Sequence, residues 1–101
     1  MRTAMVIRYS TRPEVADENA RLAEEVFAEL AESKPDGLRY ATFRLGDGAD
    51  FMHVLVAPEG SNALAETAAF QRFQQGIASR CVAPPQFTRS TVVGAYGFGD
   101  L

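Results

Sequence analysis

Tryptophan is absent from this 101-residue chain, and cysteine and histidine occur once each. Each shortage removes a class of explanation. The single cysteine, Cys81, cannot close an internal disulfide, so nothing points to an oxidising compartment. It follows a helical pattern and reads as a small half-buried apolar residue, with no neighbour to stabilise a thiolate. His53 stands alone, with no Asp or Glu cluster at ligand spacing, so no metal site is expected. Basic residues are also few: 10 against 13 acidic ones give a net charge of −3. Without a Lys/Arg cluster there is no phosphate-binding footprint, and nucleic acid is not an expected partner. No run approaches the roughly 20 apolar residues that span a bilayer. The N-terminal run Ala4-Met5-Val6-Ile7 is shorter than the about 7–15 apolar residues of a secretory signal. These absences together read as a cytoplasmic protein. Gly94, Gly97 and Gly99 do not follow the strand-to-helix pattern of a phosphate loop, and no Ser-His-Asp or Cys-His set has defensible spacing. No cofactor is implied.

What is present is ordinary globular material, 47% hydrophobic and 23% charged, in a length that holds one core. Residues 1–101 are read as a single domain. Thr3 to Tyr9 is a short apolar run, and a buried strand by its length and its flanking turn. Pro13 suits the start of a helix, where Glu14, Asp17 and Glu18 meet its positive end. Val15, Leu22, Ala23, Val26, Phe27 and Leu30 then form one apolar stripe, and Pro35-Asp36-Gly37 stops it. Leu38 to Leu45 and Phe51 to Ala57 read as a hairpin around Gly46-Asp47-Gly48. Ser61 or Asn62 is a plausible cap for a second helix, whose apolar positions are Phe70, Phe73, Ile77 and Cys81. Gly76 within it is either tolerated or marks a close helix–sheet approach. Pro84-Pro85 ends that region. Thr88 to Tyr96 reads as a last strand centred on Val92-Val93, followed by a surface arm from Gly97.

The element order is β-α-β-β-α-β. Right-handed crossovers favour the α+β, ferredoxin-like arrangement: a four-stranded antiparallel sheet in the order 4-1-3-2, with both helices on one face. The second and fourth strands carry Arg39, Arg44, Thr88, Arg89 and Ser90, as edges can. The third strand, by contrast, is apolar on both sides. One face of the sheet would be bare on a monomer, and large bare apolar faces are rare. A second copy of the same sheet is the simplest cover, giving a homodimer through the sheet face.

A two-residue type I′ turn at Asp47-Gly48 would set Arg44 opposite Phe51, Thr42 opposite His53 and Tyr40 opposite Leu55. Alternation then gathers Tyr40, Thr42, Arg44, Phe51, His53 and Leu55 on one face. Ala41, Phe43, Leu45, Met52, Val54 and Val56 occupy the other. The second set is almost purely apolar and is expected under the helices; the first, with its ionisable groups, is expected to face the partner. A loop one residue longer would exchange half of these assignments.

The hairpin Leu38-Arg39-Tyr40-Ala41-Thr42-Phe43-Arg44 with Phe51-Met52-His53-Val54 carries a family likeness. So do the helix Phe70-Gln71-Arg72-Phe73 and the closing Val92-Val93-Gly94-Ala95-Tyr96-Gly97. Together they resemble the dimeric α+β barrel superfamily, and within it the antibiotic-biosynthesis-monooxygenase-like proteins. The resemblance covers nearly the whole chain as a pattern of elements. It implies a dimeric α+β barrel with a cavity, and a cofactor-independent monooxygenase-like activity on a small aromatic or quinol-like molecule. The haem-degrading branch calls for a Trp on the sheet and a His on the second helix, which this chain lacks.

Within that reading, His53 is the candidate base, since an imidazole can take a proton from a phenol or hydroquinone and prime it for oxygen. It also has a plain role available, a hydrogen bond to Thr42 or to the partner. Tyr40 is the candidate to orient a substrate oxygen, or packs with its hydroxyl at a rim. Thr42, Arg44 and Phe51 are candidate substrate contacts. Arg44 serves equally as a solvated edge or intersubunit ion pair, and Phe51 as core. The rival function is a non-catalytic homodimer that binds a small hydrophobic ligand or acts as an accessory subunit.

Overall fold

The computed structural model describes residues 2–98. Its elements are β1 (Arg2–Ser10), a 3-10 turn (Pro13–Val15), α1 (Ala16–Ser33), β2 (Arg39–Arg44), β3 (Asp50–Pro58), α2 (Ala68–Gln75), α3 (Ile77–Arg80) and β4 (Gln86–Ser90). The sheet is antiparallel throughout, in the order β2-β3-β1-β4. That is the expected 4-1-3-2 order read from the other edge, and with the helices on one face it is the ferredoxin-like α+β fold. No helix among the described residues is long and apolar enough to cross a membrane.

Local chemistry explains most element boundaries. α1 ends at Ser33 because Lys34 turns into the left-handed region (φ 47), since Pro35 disfavours a helical conformation before it. The cap of α2 is neither Ser61 nor Asn62. Residues 63–66 turn instead, and the Thr67 hydroxyl accepts from the Phe70 N–H. The Glu29 carboxylate of α1 adds two bonds, accepting from the N–H groups of Ala68 and Ala69 at 3.2 and 2.8 Å. α1 thereby supplies the negative charge that the start of α2 favours. The last strand is shorter than expected and lies earlier. Antiparallel pairing sets Ser90 against Ala4, and the same register would set Val92 against Arg2, where β1 begins. Val92 and Val93 lie outside the strand all the same, and Val93, past the end of β1, is 98% exposed. Of the expected arm from Gly97, residues 99–101 lie outside the described residues.

The hairpin register is as expected: Arg44 faces Phe51, Thr42 faces His53 and Tyr40 faces Leu55. The turn that produces it is different. Neither Asp47 nor Gly48 has a positive φ, whereas Gly46 does (φ 67). The Leu45 N–H donates to the Asp50 carbonyl, so the chain turns through 46–49. A loop two residues longer preserves side-chain parity, which is why the register survives.

The assignment of the two faces is reversed. Tyr9, Phe51, Phe73, Val26 and Ala23 share one buried cluster. Phe27 of α1 stacks on Tyr40 with centroids 5.1 Å apart, and Phe73 of α2 lies 5.5 Å from His53. The face with ionisable groups is therefore the one beneath the helices. The almost purely apolar set lies on the open side, where Phe43 and Leu45 are exposed and Met52 and Val54 half-buried. The expectation treated polarity as a mark of solvent or interface. Here the polar groups are buried because they satisfy one another.

Candidate functional site

β3 turns His53 inward between Tyr9 of β1 and Tyr40 of β2. The imidazole is 3% exposed, with Nε2 2.7 Å from Tyr9 Oη and Nδ1 2.6 Å from Tyr40 Oη and 3.1 Å from Thr42 Oγ1. Phe73 closes the remaining side. Burial pushes the His53 pKa down from 6.5 to about 4, so the ring is neutral near pH 7. Burial also raises both tyrosines, Tyr40 to about 12. All three groups are thus neutral hydrogen-bonding partners.

Two further residues extend this set into the helices. Asn19 of α1, fully buried, donates through Nδ2 to Tyr9 Oη at 2.9 Å. Arg80 at the end of α3 donates through Nε to Asn19 Oδ1 and through Nη2 to the Phe73 carbonyl, each at 2.9 Å. Its guanidinium lies over the Phe73 ring at 4.9 Å. Gly76 makes room for it, because a Cβ there would sit 2.5 Å from Arg80 Nη1. The expected alternatives for Gly76 were tolerance or a helix–sheet approach. The close approach is real, and its partner is a side chain.

A cavity of about 570 Å³ opens beside His53, between the sheet and α2. Met5, Ile7, Leu55, Phe70, Phe73 and Ile77 make its apolar walls, and Tyr9, Tyr40 and His53 its polar end. That volume suits a small molecule of a few fused rings. Arg89 and Glu59 also border it. Among the described residues, no three of His, Cys, Asp and Glu gather where they could hold a metal ion.

Of the residues singled out in the sequence, His53, Tyr40 and Thr42 come together. Arg44 and Phe51 lie elsewhere. Arg44 bonds Asp17 at 2.9 Å and the Gly48 carbonyl at 2.7 Å, and Phe51 is 1% exposed and stacked on Tyr9. Neither lines the cavity that His53 borders. Tyr9, Asn19 and Arg80 escaped sequence reading. The available signal was position: Asn19 falls between Ala16 and Ala23 on the buried stripe of α1, and Tyr9 alternates with Ile7 on β1. Cys81 is half-buried as expected, although it pairs with Thr11 in an extended bridge beyond the helix. Burial raises its thiol pKa.

No protein-family model matches the chain, and no curated protein matches it. Solved structures do. A protein of Nitrosomonas europaea, named provisionally as an antibiotic biosynthesis monooxygenase, superposes with a TM-score of 0.75 at 15% identity, covering 97% of this chain and 94% of its own. A Caulobacter crescentus protein named in the same provisional way gives 0.74 at 14% identity, with 92% and 91% covered. A second Nitrosomonas europaea protein, of unknown function, gives 0.72 at 14% identity over 94% and 92%. At such identities the likeness carries architecture and not chemistry. The chain has the ferredoxin-like fold of the solved antibiotic-biosynthesis-monooxygenase-like proteins, many of them without an assigned function.

Proposed function

We propose that the chain is a cytoplasmic, cofactor-independent monooxygenase-like enzyme that takes a small aromatic or quinol-like molecule into the cavity beside His53. The observation that carries this reading is a largely apolar cavity of about 570 Å³ in which Tyr40, His53 and Tyr9 form one polar cluster, with Arg89 and Glu59 also at its border. Apolar walls hold a ring, and a few placed polar groups orient it. Tyr40 meets the substrate oxygen, and His53 stands behind Tyr40 and polarises its hydroxyl. An electron-rich ring can itself supply the electrons that dioxygen takes up, so no cofactor is required. The names of the fold's relatives support the same reaction class.

The reading includes a homodimer across the open sheet face. Phe43 and Leu45 are exposed there, and Val93 and Tyr96 beyond β4 are almost fully so. A second copy would cover them. A different observation favours the rival function, binding without turnover. His53, with both ring nitrogens engaged and a pKa near 4, is a weak base.

The test is oxygen consumption by the native protein across a panel of phenols, hydroquinones and their ketone forms. Substrate-dependent uptake that His53→Gln abolishes, with the fold intact, supports the enzyme. Uptake unchanged in that variant removes His53 from the reaction. Binding without any uptake selects the rival.

A further inference from the structure

The hydrogen bonds running from Arg80 to Tyr40 have a direction, and direction fixes what the cavity offers a ligand. Arg80 can only donate, so the Asn19 atom it reaches is the carbonyl oxygen. The other end of that amide is Nδ2, which donates to Tyr9 Oη. A phenolic oxygen that already accepts one bond is best satisfied by giving its own hydrogen onward, here to His53 Nε2 at 2.7 Å. A neutral imidazole carries one N–H, which must then be on Nδ1. It points at Tyr40 Oη, 2.6 Å away, and is shared with Thr42 Oγ1 at 3.1 Å. Tyr40 accepts, and its own hydroxyl hydrogen is the one left over. Tyr40 borders the cavity.

We infer that the cavity is selective for an aromatic carbonyl, whose oxygen accepts from the Tyr40 hydroxyl, and that Arg80 and Asn19 act as remote positioning residues for this donor. The inference rests on the cavity reading above and narrows its substrate class from an oxygenated ring to a ring ketone, the keto form of a phenol, which still holds the electrons that dioxygen takes up. Neither positioning residue lines the cavity. Both act by choosing which nitrogen of His53 carries the proton, a choice commonly set by the bond the other nitrogen makes. A donor backed by a chain of aligned hydrogen bonds is also a stronger donor than an isolated hydroxyl.

Asn19→Asp reverses the chain without touching the cavity. A carboxylate keeps the bond from Arg80 but can only accept, so Tyr9 must donate to it. His53 then donates from Nε2 to Tyr9, and Tyr40 turns its hydrogen to Nδ1 and away from the ligand. Because the chain has one histidine, nitrogen NMR of histidine-labelled protein reads the tautomer directly. Native protein should show Nδ1–H, and Asn19→Asp should show Nε2–H. In parallel, 9-fluorenone and fluorene, alike in shape except for the carbonyl, are titrated into native protein, Asn19→Asp and Tyr40→Phe. The affinity ratio of ketone to hydrocarbon should fall by about two- to tenfold in both variants, the range of one neutral hydrogen bond. Tyr40→Phe leaves Asn19 and Arg80 in place, so the inference stays testable if Asn19→Asp does not fold. An Nε2–H imidazole in the native protein, or a ratio unchanged by Tyr40→Phe, overturns the inference alone. Failure of both compounds to bind the native protein overturns it together with the cavity reading.

Discussion

The two faces of this sheet meet water in opposite ways. Beneath the helices lie Tyr9, Tyr40, His53 and Thr42, polar groups packed among Phe51, Phe73 and Val26. On the open side lie Phe43, Met52 and Val54, apolar groups left partly or largely exposed on the single chain. The polar groups are hidden because they complete one another's hydrogen bonds; no buried side-chain polar atom among the described residues lacks a partner. The apolar groups are exposed because nothing among the described residues is placed to cover them. A change beneath the helices should therefore register in folding stability, and a change on the open side in association.

The largest effect is expected from Arg80→Met. It strips the partners from Asn19 Oδ1 and the Phe73 carbonyl, and two buried acceptors left unpaired should lower stability by about 3 kcal/mol in denaturant unfolding. Exposed Arg21 pairs with Glu25 at 2.6 Å on the outer side of α1. Arg21→Met should cost less than about 1 kcal/mol. Equal losses would mean that the buried set is not what holds the helices to the sheet.

Acid should act on the same face by nearly as much. The unfolded chain protonates His53 near pH 6.5, while the folded chain resists until about 4. Between those values the unfolded state binds more protons, so stability is highest above the window and falls as the pH drops through it. The loss attributable to His53 is about 3 kcal/mol, complete by about pH 4. The difference between native protein and His53→Gln, followed across that range, isolates it. Parallel curves would show that His53 is less enclosed than its 3% exposure indicates.

Gly76→Ala comes next. Gly76 lies between the two helices at a negative φ, where alanine gains about 0.4–1 kcal/mol by restricting the unfolded chain, yet its Cβ would crowd Arg80 Nη1. A net loss of about 1 kcal/mol is expected in the native background, turning to a gain in Arg80→Met. A gain in both backgrounds would show that the guanidinium simply steps aside. Phe43→Lys should have the smallest effect on folding, within about 0.5 kcal/mol. In sedimentation, however, it should convert a dimer to a monomer. A dimer that survives would put the partner somewhere other than the open face.

The stripe on α1 was legible from short-range periodicity, the strand order from crossover handedness, and the hairpin register because only the parity of its loop had to be right. The tightest part of the candidate site follows from that register, since cross-strand pairing alone brings Tyr40, Thr42 and His53 together. Which face the helices cover was not legible. Alternation groups residues into two sets without saying which set is inside, and the rule that polar means outside failed because Asn19, held by Arg80, arrives from a distant segment to satisfy Tyr9, which in turn bonds His53. Residues 9, 19, 53 and 80 share no local pattern, and only the fold brings them within reach. The end of β4 was hidden for a related reason. Val92 and Val93 have strand chemistry, but a strand needs a neighbour, and in this register only Arg2, the first residue of β1, is left to face them.

The notch at Gly76 ties two positions into one heritable unit. Residue 76 has no side chain so that residue 80 can fold its guanidinium back across the gap between α2 and α3. Among close relatives, a side chain should appear at 76 only where the arginine at 80 has already gone. Lineages that lost the pair would have rebuilt the far end of the hydrogen-bond chain to Tyr40, and with it the chemistry of what the cavity admits.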